Sequence, residues 1–238
     1  MYSLISKANS IYGKYFLLSI DFAFILASLL RHRLRFYFDE SLLSVSTDGG
    51  YGEIFQYIKL ALIVALLCIS AVSERSIAIG GWAVLFALLL ADDMLSLHEQ
   101  WGSQLAEAFS FQSVFHLRPI DYGEMIVFAA WGILAALILA FTYRTARSPI
   151  TKQIAKGMLL SLSGLAVFGG FFDMLHIAAL DLGRLSPRGE SLLNAIEDGG
   201  EMVVVSLTLY FVYQMALKAI VRRADKSIHP CEQDKPQI

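Results

Sequence analysis

Four residues with side chains suited to chemistry lie close together where a long apolar run ends: Asp92, Asp93, His98 and Glu99. The run begins at Ile77 and contains no charged residue before Asp92. Ionisable groups are costly at membrane depth, and they normally face a bundle interior or a wet cavity. Carboxylates and imidazoles together are ligands of Zn²⁺, Fe and Mn. The segment is therefore either a helix that reaches water or part of a polar site.

Two other segments carry the same residue types. Asp173 and His176 are three residues apart inside an apolar run, so they share one helix face. This spacing matches the Glu-x-x-His element of di-iron helical bundles, although the rest of that pattern is absent. Glu197, Asp198 and Glu201 also share one face. Glu197 and Asp198 could alternatively lie at a helix start, where acids oppose the macrodipole favourably.

These motifs indicate an internal repeat. "DYGEMIV" from Asp121 matches "DGGEMVV" from Asp198, and "DML" occurs at both Asp93 and Asp173. The segment from Glu40, "ESLLSVSTDGG", is a fainter third copy. The pattern predicts parallel repeats of spans 3–4 and 5–6, with spans 1–2 as the weaker member.

The composition predicts a membrane protein. The chain has 238 residues, of which 56% are hydrophobic and 17% charged, whereas soluble domains are about 25% charged. Six apolar runs approach the ~20 residues that cross a bilayer: Tyr15–Leu30, Ile54–Val72, Ile77–Leu97, Met125–Tyr143, Met158–Leu180 and Met202–Ala216. We predict an all-α, multi-pass transmembrane bundle of one domain, residues 1–221, built from three helical hairpins (about 11–72, 77–143 and 156–217). The polar tail, 222–238, is expected to be disordered.

Lysine and arginine placement predicts the orientation. More of them fall on the side of both termini, so we place the termini in the cytoplasm and the chain in the cell (inner) membrane. The cluster at Arg31, Arg33 and Arg35 argues the other way. Cys68 and Cys231 form no disulfide framework and have no metal-type spacing. The expected partner is the lipid bilayer, with no nucleic acid.

Counting along the helices predicts one shared cluster. At 1.5 Å per residue, Asp92, Asp173 and Glu201 each lie ~22 Å from the far end of their span, and Glu124 lies ~28 Å away. On the third span, Asp92, Ser96 and Glu99 share a face at i, i+4 and i+7, and His98 lies off it. Ser96 and Glu124 are the predicted catalytic residues, Ser96 to orient a water. The predicted metal ligands are Asp92, Asp93, His98, Glu99, Asp173, His176, Glu197, Asp198 and Glu201.

Two further features lie outside this cluster. Trp101, Leu105 and Phe109 follow one another at four-residue intervals, which predicts an amphipathic helix at the membrane surface. Asp21 and Lys59 are either a structural pair or face different cavities, and the sequence does not decide between these.

Three functions remain open. The first is a metal-dependent enzyme whose extracytoplasmic site binds Zn, Fe or Mn and acts on a lipid or other amphiphile. The second is a cation- or proton-coupled transporter with the same carboxylates at a repeat interface. The third is a non-catalytic sensor, immunity or assembly subunit in which the acids and histidines only hold helices together.

Overall fold

The computed structural model describes residues 2–34, 37, 39, 41–113, 117–146, 148–183 and 186–228, with the side chains of 2–11, 32–33, 181, 187 and 225–228 excepted. Within these ranges most of the chain is helical, and no β-strand is present. The helices are α1 (Tyr2–Leu29), α2 (Arg31–Leu34), α3 (Tyr51–Glu74), α4 (Ile77–Leu95), α5 (Leu97–Phe109), α6 (Pro119–Thr145), α7 (Pro149–Ala166), a π-helical segment (Val167–Phe172), α8 (Asp173–Asp181) and α9 (Pro187–Ile228).

Six helical stretches are long and apolar enough to cross a membrane: Tyr12–Leu29, Tyr51–Glu74, Ile77–Leu95, Pro119–Thr145, Pro149–Leu180 and Arg188–Ala224. Each contains most or all of one predicted run, which confirms the all-α, six-span prediction. The fifth joins α7, the π-helical segment and α8 end to end. The internal repeat and the division into three hairpins are not confirmed.

The core is built around α3, α4 and α9. Trp82 and Phe86 of α4 are completely buried, as are Ile63 of α3 and Val212 of α9. Lipid tails are as apolar as these side chains, so close packing rather than water exclusion holds such helices together. Helix α1 packs mainly against α9 and only slightly against α3, so spans 1 and 2 are not a close pair.

Helix α9 differs most from its predicted span. Pro187 stands at its first position, which suits proline because the missing N–H has no helical partner there. The helix continues to Ile228, so the first residues of the predicted disordered tail are helical. Residues 229–238, among them Cys231, lie outside the described residues, as do Arg35 and Glu40.

Candidate functional site

One end of the bundle gathers ionisable side chains from α3, α4, α5, α6, α8 and α9. We call this set the acidic cluster. It comprises Glu53, Asp92, Asp93, His98, Asp121, Glu124, Asp173, His176, Glu197, Asp198 and Glu201. Electrostatic interactions connect its members across helices. For example, Asp173 interacts with His98, and Asp93 interacts with Glu201.

The turn between α4 and α5 brings His98 to Asp92. Ser96 ends α4 in the left-handed conformation, at φ 47° and ψ 44°, and α5 begins at the next residue. The change of direction places Nδ1 of His98 3.2 Å from Oδ2 of Asp92. The predicted face of Asp92, Ser96 and Glu99 was therefore wrong, because it assumed a continuous helix. His98, expected to lie off that face, is the residue that contacts Asp92, whereas Glu99 is exposed.

The Asp92–His98 pair is only partly buried. The carboxylate is buried, whereas His98 keeps 24% of its side-chain surface exposed. The His98 ring stacks on Phe128 of α6, with 5.2 Å between centroids. The hydrogen bond to Asp92 raises the pKa of His98 against the opposing effect of burial. Oδ1 of Asp92 is buried without a hydrogen-bond partner among the described residues.

Helix α6 contributes Asp121 from its first turn and Glu124 from its second. Arg118 caps the helix: its backbone N–H donates to Oδ2 of Asp121 at 2.6 Å, and its guanidinium donates to Oδ1 at 2.7 Å. Asp121 is completely buried. Glu124 packs against Gly102 of α5, where an added Cβ would lie 2.6 Å from its Cγ. Glycine at position 102 therefore lets α5 approach the carboxylate closely.

The fifth span carries Asp173 and His176 beyond the π-helical segment. Nδ1 of His176 lies 3.1 Å from Oε2 of Glu197 on α9. Nε2 of His176 is buried, and no described residue hydrogen-bonds to it. Glu197 is more than two turns inside α9, so it does not act at the helix start. The same holds for Asp198, which interacts with His176, Asp173 and Asp93.

Glu201 of α9 contacts both α3 and the π-helical segment. Its Oε2 accepts a hydrogen bond from Nε2 of Gln56 on α3 at 3.3 Å. Its Oε1 lies against Gly169 of the π-helical segment, where a Cβ atom would overlap it. Oε1 of Gln56 is buried with no partner in the described part of the chain. Glu201 thus connects the acidic cluster to the polar groups deeper in the bundle.

Those deeper groups are Asp21 and Lys59, which the structure shows to be a pair. Nζ of Lys59 lies 2.8 Å from Oδ1 of Asp21, and both side chains are almost completely buried. The same Nζ donates to the Met202 carbonyl at 2.9 Å and to Oγ of Ser206 at 3.1 Å. Lys59 lies one turn from Gln56 on α3, so the Asp21–Lys59 pair lies next to Gln56, which hydrogen-bonds to Glu201.

The predicted metal ligands come together as pairs rather than as a closed coordination sphere. Among the described residues, no three His, Cys, Asp or Glu side chains are close enough to hold a metal ion. The metal assignment thus gains no support from the geometry. Ser96 forms the turn between α4 and α5 and therefore has a structural role.

Two members of the acidic cluster, Glu53 and Asp121, were absent from the predicted site. Glu53 accepts hydrogen bonds from the Tyr57 hydroxyl and the Gly49 N–H, and it interacts with Asp93. Glu53 occurs in "YGEI", which parallels "YGEM" at Glu124, so the third copy contained the signal. Asp121 lay inside the "DYGEMIV" motif, two residues after a proline typical of helix starts.

The fold and this cluster define the class of the protein. It has the six apolar helices of a multi-pass integral membrane protein, with ionisable side chains concentrated at one end. The chain belongs to the family described as Domain of unknown function (DUF8692), which matches residues 39–215. That range contains every member of the acidic cluster. No curated protein and no solved structure matches the chain.

Proposed function

We propose that this protein is an integral membrane enzyme that acts on a lipid-like substrate at the acidic cluster. The observation that carries the proposal is the environment of His176. Glu197 holds Nδ1, and Nε2 is buried with no described partner. A carboxylate on one ring nitrogen fixes the tautomer and makes the other nitrogen a better base or metal ligand. Such an arrangement is suited to taking a proton from a water molecule.

The charge balance of the cluster supports a cation beside His176. Among its described members, nine carboxyl groups accompany two histidines, and the neighbouring Arg118 already pairs with Asp121. Buried carboxylates without partners must take up protons or bind a cation. We include a divalent ion, Zn, Fe or Mn, in the proposal, with Nε2 of His176 and the nearby acids as donors. The cluster is proposed to face the extracytoplasmic side, as the lysine and arginine distribution predicts.

Turnover of membrane lipids tests the enzyme. The full chain is placed in nanodiscs made from a total bacterial lipid extract, and the lipids are followed by mass spectrometry. We expect one lipid class to be consumed by the wild type and not by His176→Ala. Glu197→Gln should slow turnover by about 10²-fold or more, since a positioned base contributes 10²–10⁴-fold.

Glu190→Gln is the matched control, because Glu190 is exposed on the same helix. It should turn over lipid at the wild-type rate. Unchanged lipid composition with folded wild-type protein would rule out the enzyme. A rate of lipid turnover unaffected by His176→Ala would show that this histidine is not the base.

Metal content tests the cation separately. We expect stoichiometric Zn, Fe or Mn in the detergent-purified wild type and its loss from His176→Ala and Glu201→Ala. The Glu190→Gln variant should retain the metal. Lipid turnover by a metal-free wild type would leave the histidine acting alone as the base and eliminate the cation.

A second candidate, a proton- or cation-coupled transporter, is favoured by one observation. The Asp21–Lys59 pair continues the polar groups from Glu201 through Gln56 into the bundle, and intramembrane ionisable pairs commonly mark ion pathways. Proteoliposomes with an internal pH-sensitive dye test this candidate. Proton uptake that stops in Asp21→Asn supports it, and uptake equal to that of empty liposomes excludes it.

A further inference from the structure

An apolar groove lies between α5 and α6, beside the acidic cluster. Its volume is about 660 Å³, within the roughly 300–1,000 Å³ of small-molecule sites. Trp101, Leu105 and Ala108 line it from α5, and Val127 and Trp131 line it from α6. Gln104 adds a polar group to a lining whose other members are apolar. The two indoles stack with 6.1 Å between centroids.

The groove lies on a helix that is apolar enough to contact the acyl chains of a bilayer. Its α6 residues belong to the span Pro119–Thr145, which has a mean hydropathy of 2.4. Trp101 and Ile126 are exposed at its edges, so it opens on the outer surface of the bundle. An acyl chain can therefore enter sideways from the bilayer without leaving an apolar environment.

The polar end of the groove carries negative charge. Glu124 packs on Gly102, the residue after Trp101, and it interacts electrostatically with His98 and Asp173. His98 lies one turn before Trp101 and is already paired with Asp92. Arg118 also interacts with Glu124, but it is already paired with Asp121. A head group at this end thus meets more carboxylates than free cations, an environment that favours a cation and repels a phosphate or carboxylate.

We propose that the α5–α6 groove binds the alkyl chain of an amphiphile with an amine head group, and that Glu124 holds the amine. This inference rests on the proposed function, for which it names the substrate class. Asp173 interacts electrostatically with Glu124, His98 and His176. An amine beside Glu124 therefore lies near the histidine assigned to the chemistry.

Tryptophan fluorescence reports occupancy directly. The probes are octadecylamine and stearate, each brominated near the middle of the chain, because bromine quenches an indole in contact with it. They are titrated into nanodiscs that contain the full chain. Trp101 and Trp131 line the groove, whereas Trp82 is completely buried in the core.

We expect the amine to quench saturably, with a half-saturating fraction about tenfold below that of stearate, which corresponds to about 1.4 kcal/mol. Ala130→Phe, which fills the groove, should raise the half-saturating fraction of both probes about tenfold. Ala129→Phe is the matched control, since Ala129 is also exposed on α6 but does not line the groove. Glu124→Gln should remove the preference for the amine, because it weakens amine binding and removes a charge that repels the stearate carboxylate.

Quenching that rises linearly with probe and is equal in both alanine variants would show only bulk lipid contact and overturn the groove. Saturable quenching without preference for the amine would overturn the head group. The assay needs no turnover, so it fails or succeeds independently of the enzyme. Saturable amine binding without lipid turnover would support the groove as a binding site and contradict the enzyme. Lipid turnover without saturable binding would support the enzyme and contradict the groove.

Discussion

The buried pair of Asp21 and Lys59 allows a quantitative test of the bundle interior. Removal of one member of a buried ion pair costs about 3–5 kcal/mol, because the other charge stays buried without compensation. In Asp21→Leu, Lys59 keeps two neutral acceptors, the Met202 carbonyl and Oγ of Ser206. We therefore expect Asp21→Leu to lower the free energy of unfolding by about 3 kcal/mol, the lower end of this range.

The opposite single variant should cost more. In Lys59→Met, the Asp21 carboxylate loses the contact at 2.8 Å, and its Oδ2 already has no partner among the described residues. We expect a loss near the upper end, about 5 kcal/mol. The double variant Asp21→Leu/Lys59→Met should lie within about 1 kcal/mol of the wild type, since apolar pairs replace buried ion pairs with little loss.

Reversible unfolding by SDS in mixed micelles, followed by tryptophan fluorescence, measures these free energies. Lys152→Met is the control, because Lys152 is an exposed lysine of α7, and it should change stability by less than about 0.5 kcal/mol. If each single variant lost less than about 1 kcal/mol, or if the double variant lost the sum, the two charges would not form a buried pair.

Three other substitutions test the turns and contacts that build the site. Gly123→Ala should lower the unfolding free energy by about 1–3 kcal/mol, because its Cβ would overlap the backbone of α5; Gly132→Ala on the same helix, with open space around it, should not lower it. Ser96→Gly should raise the melting temperature, since a left-handed non-glycine residue costs about 1–2 kcal/mol, and a lower temperature would contradict the turn. The hydrogen bond to Asp92 raises the pKa of folded His98, so its stabilisation is complete below about pH 6.5 and is lost as pH rises through the folded pKa. Asp92→Asn should flatten this dependence in unfolding titrations, and an unchanged pH profile would show that the pair does not titrate with folding.

The sequence predicts the spans well because length and hydropathy decide whether a helix can cross a bilayer. It also predicts that Asp92, Asp173 and Glu201 belong to one end of the bundle, since distance along a helix is nearly fixed per residue. Which side chains touch was harder to predict. Helical periodicity predicts that α4 continues past Ser96. The sequence does not mark the end of the helix there, because glycine signals a left-handed residue and serine does not.

The matched motifs show a second limit. Asp121 and Asp198 align in the two copies of the predicted repeat, yet Asp121 lies in the first turn of α6 and Asp198 lies well inside α9. The difference arises because α9 begins at Pro187, within a polar stretch that hydropathy excludes from the span. Identical letters therefore occupy different environments, and the π-helical segment before Asp173 changes the register of the fifth span further.

The two histidine–carboxylate pairs differ in a way that separates their proposed roles. His98 is partly exposed, lies against Phe128, and has its charged form stabilised by Asp92. This pair lies one turn before Trp101 of the groove lining, so it suits the boundary of the α5–α6 groove. His176 instead has one nitrogen held by Glu197 and the other buried without a described partner. The proposed chemistry therefore belongs to α8 and α9, and the proposed entry of substrate belongs to α5 and α6.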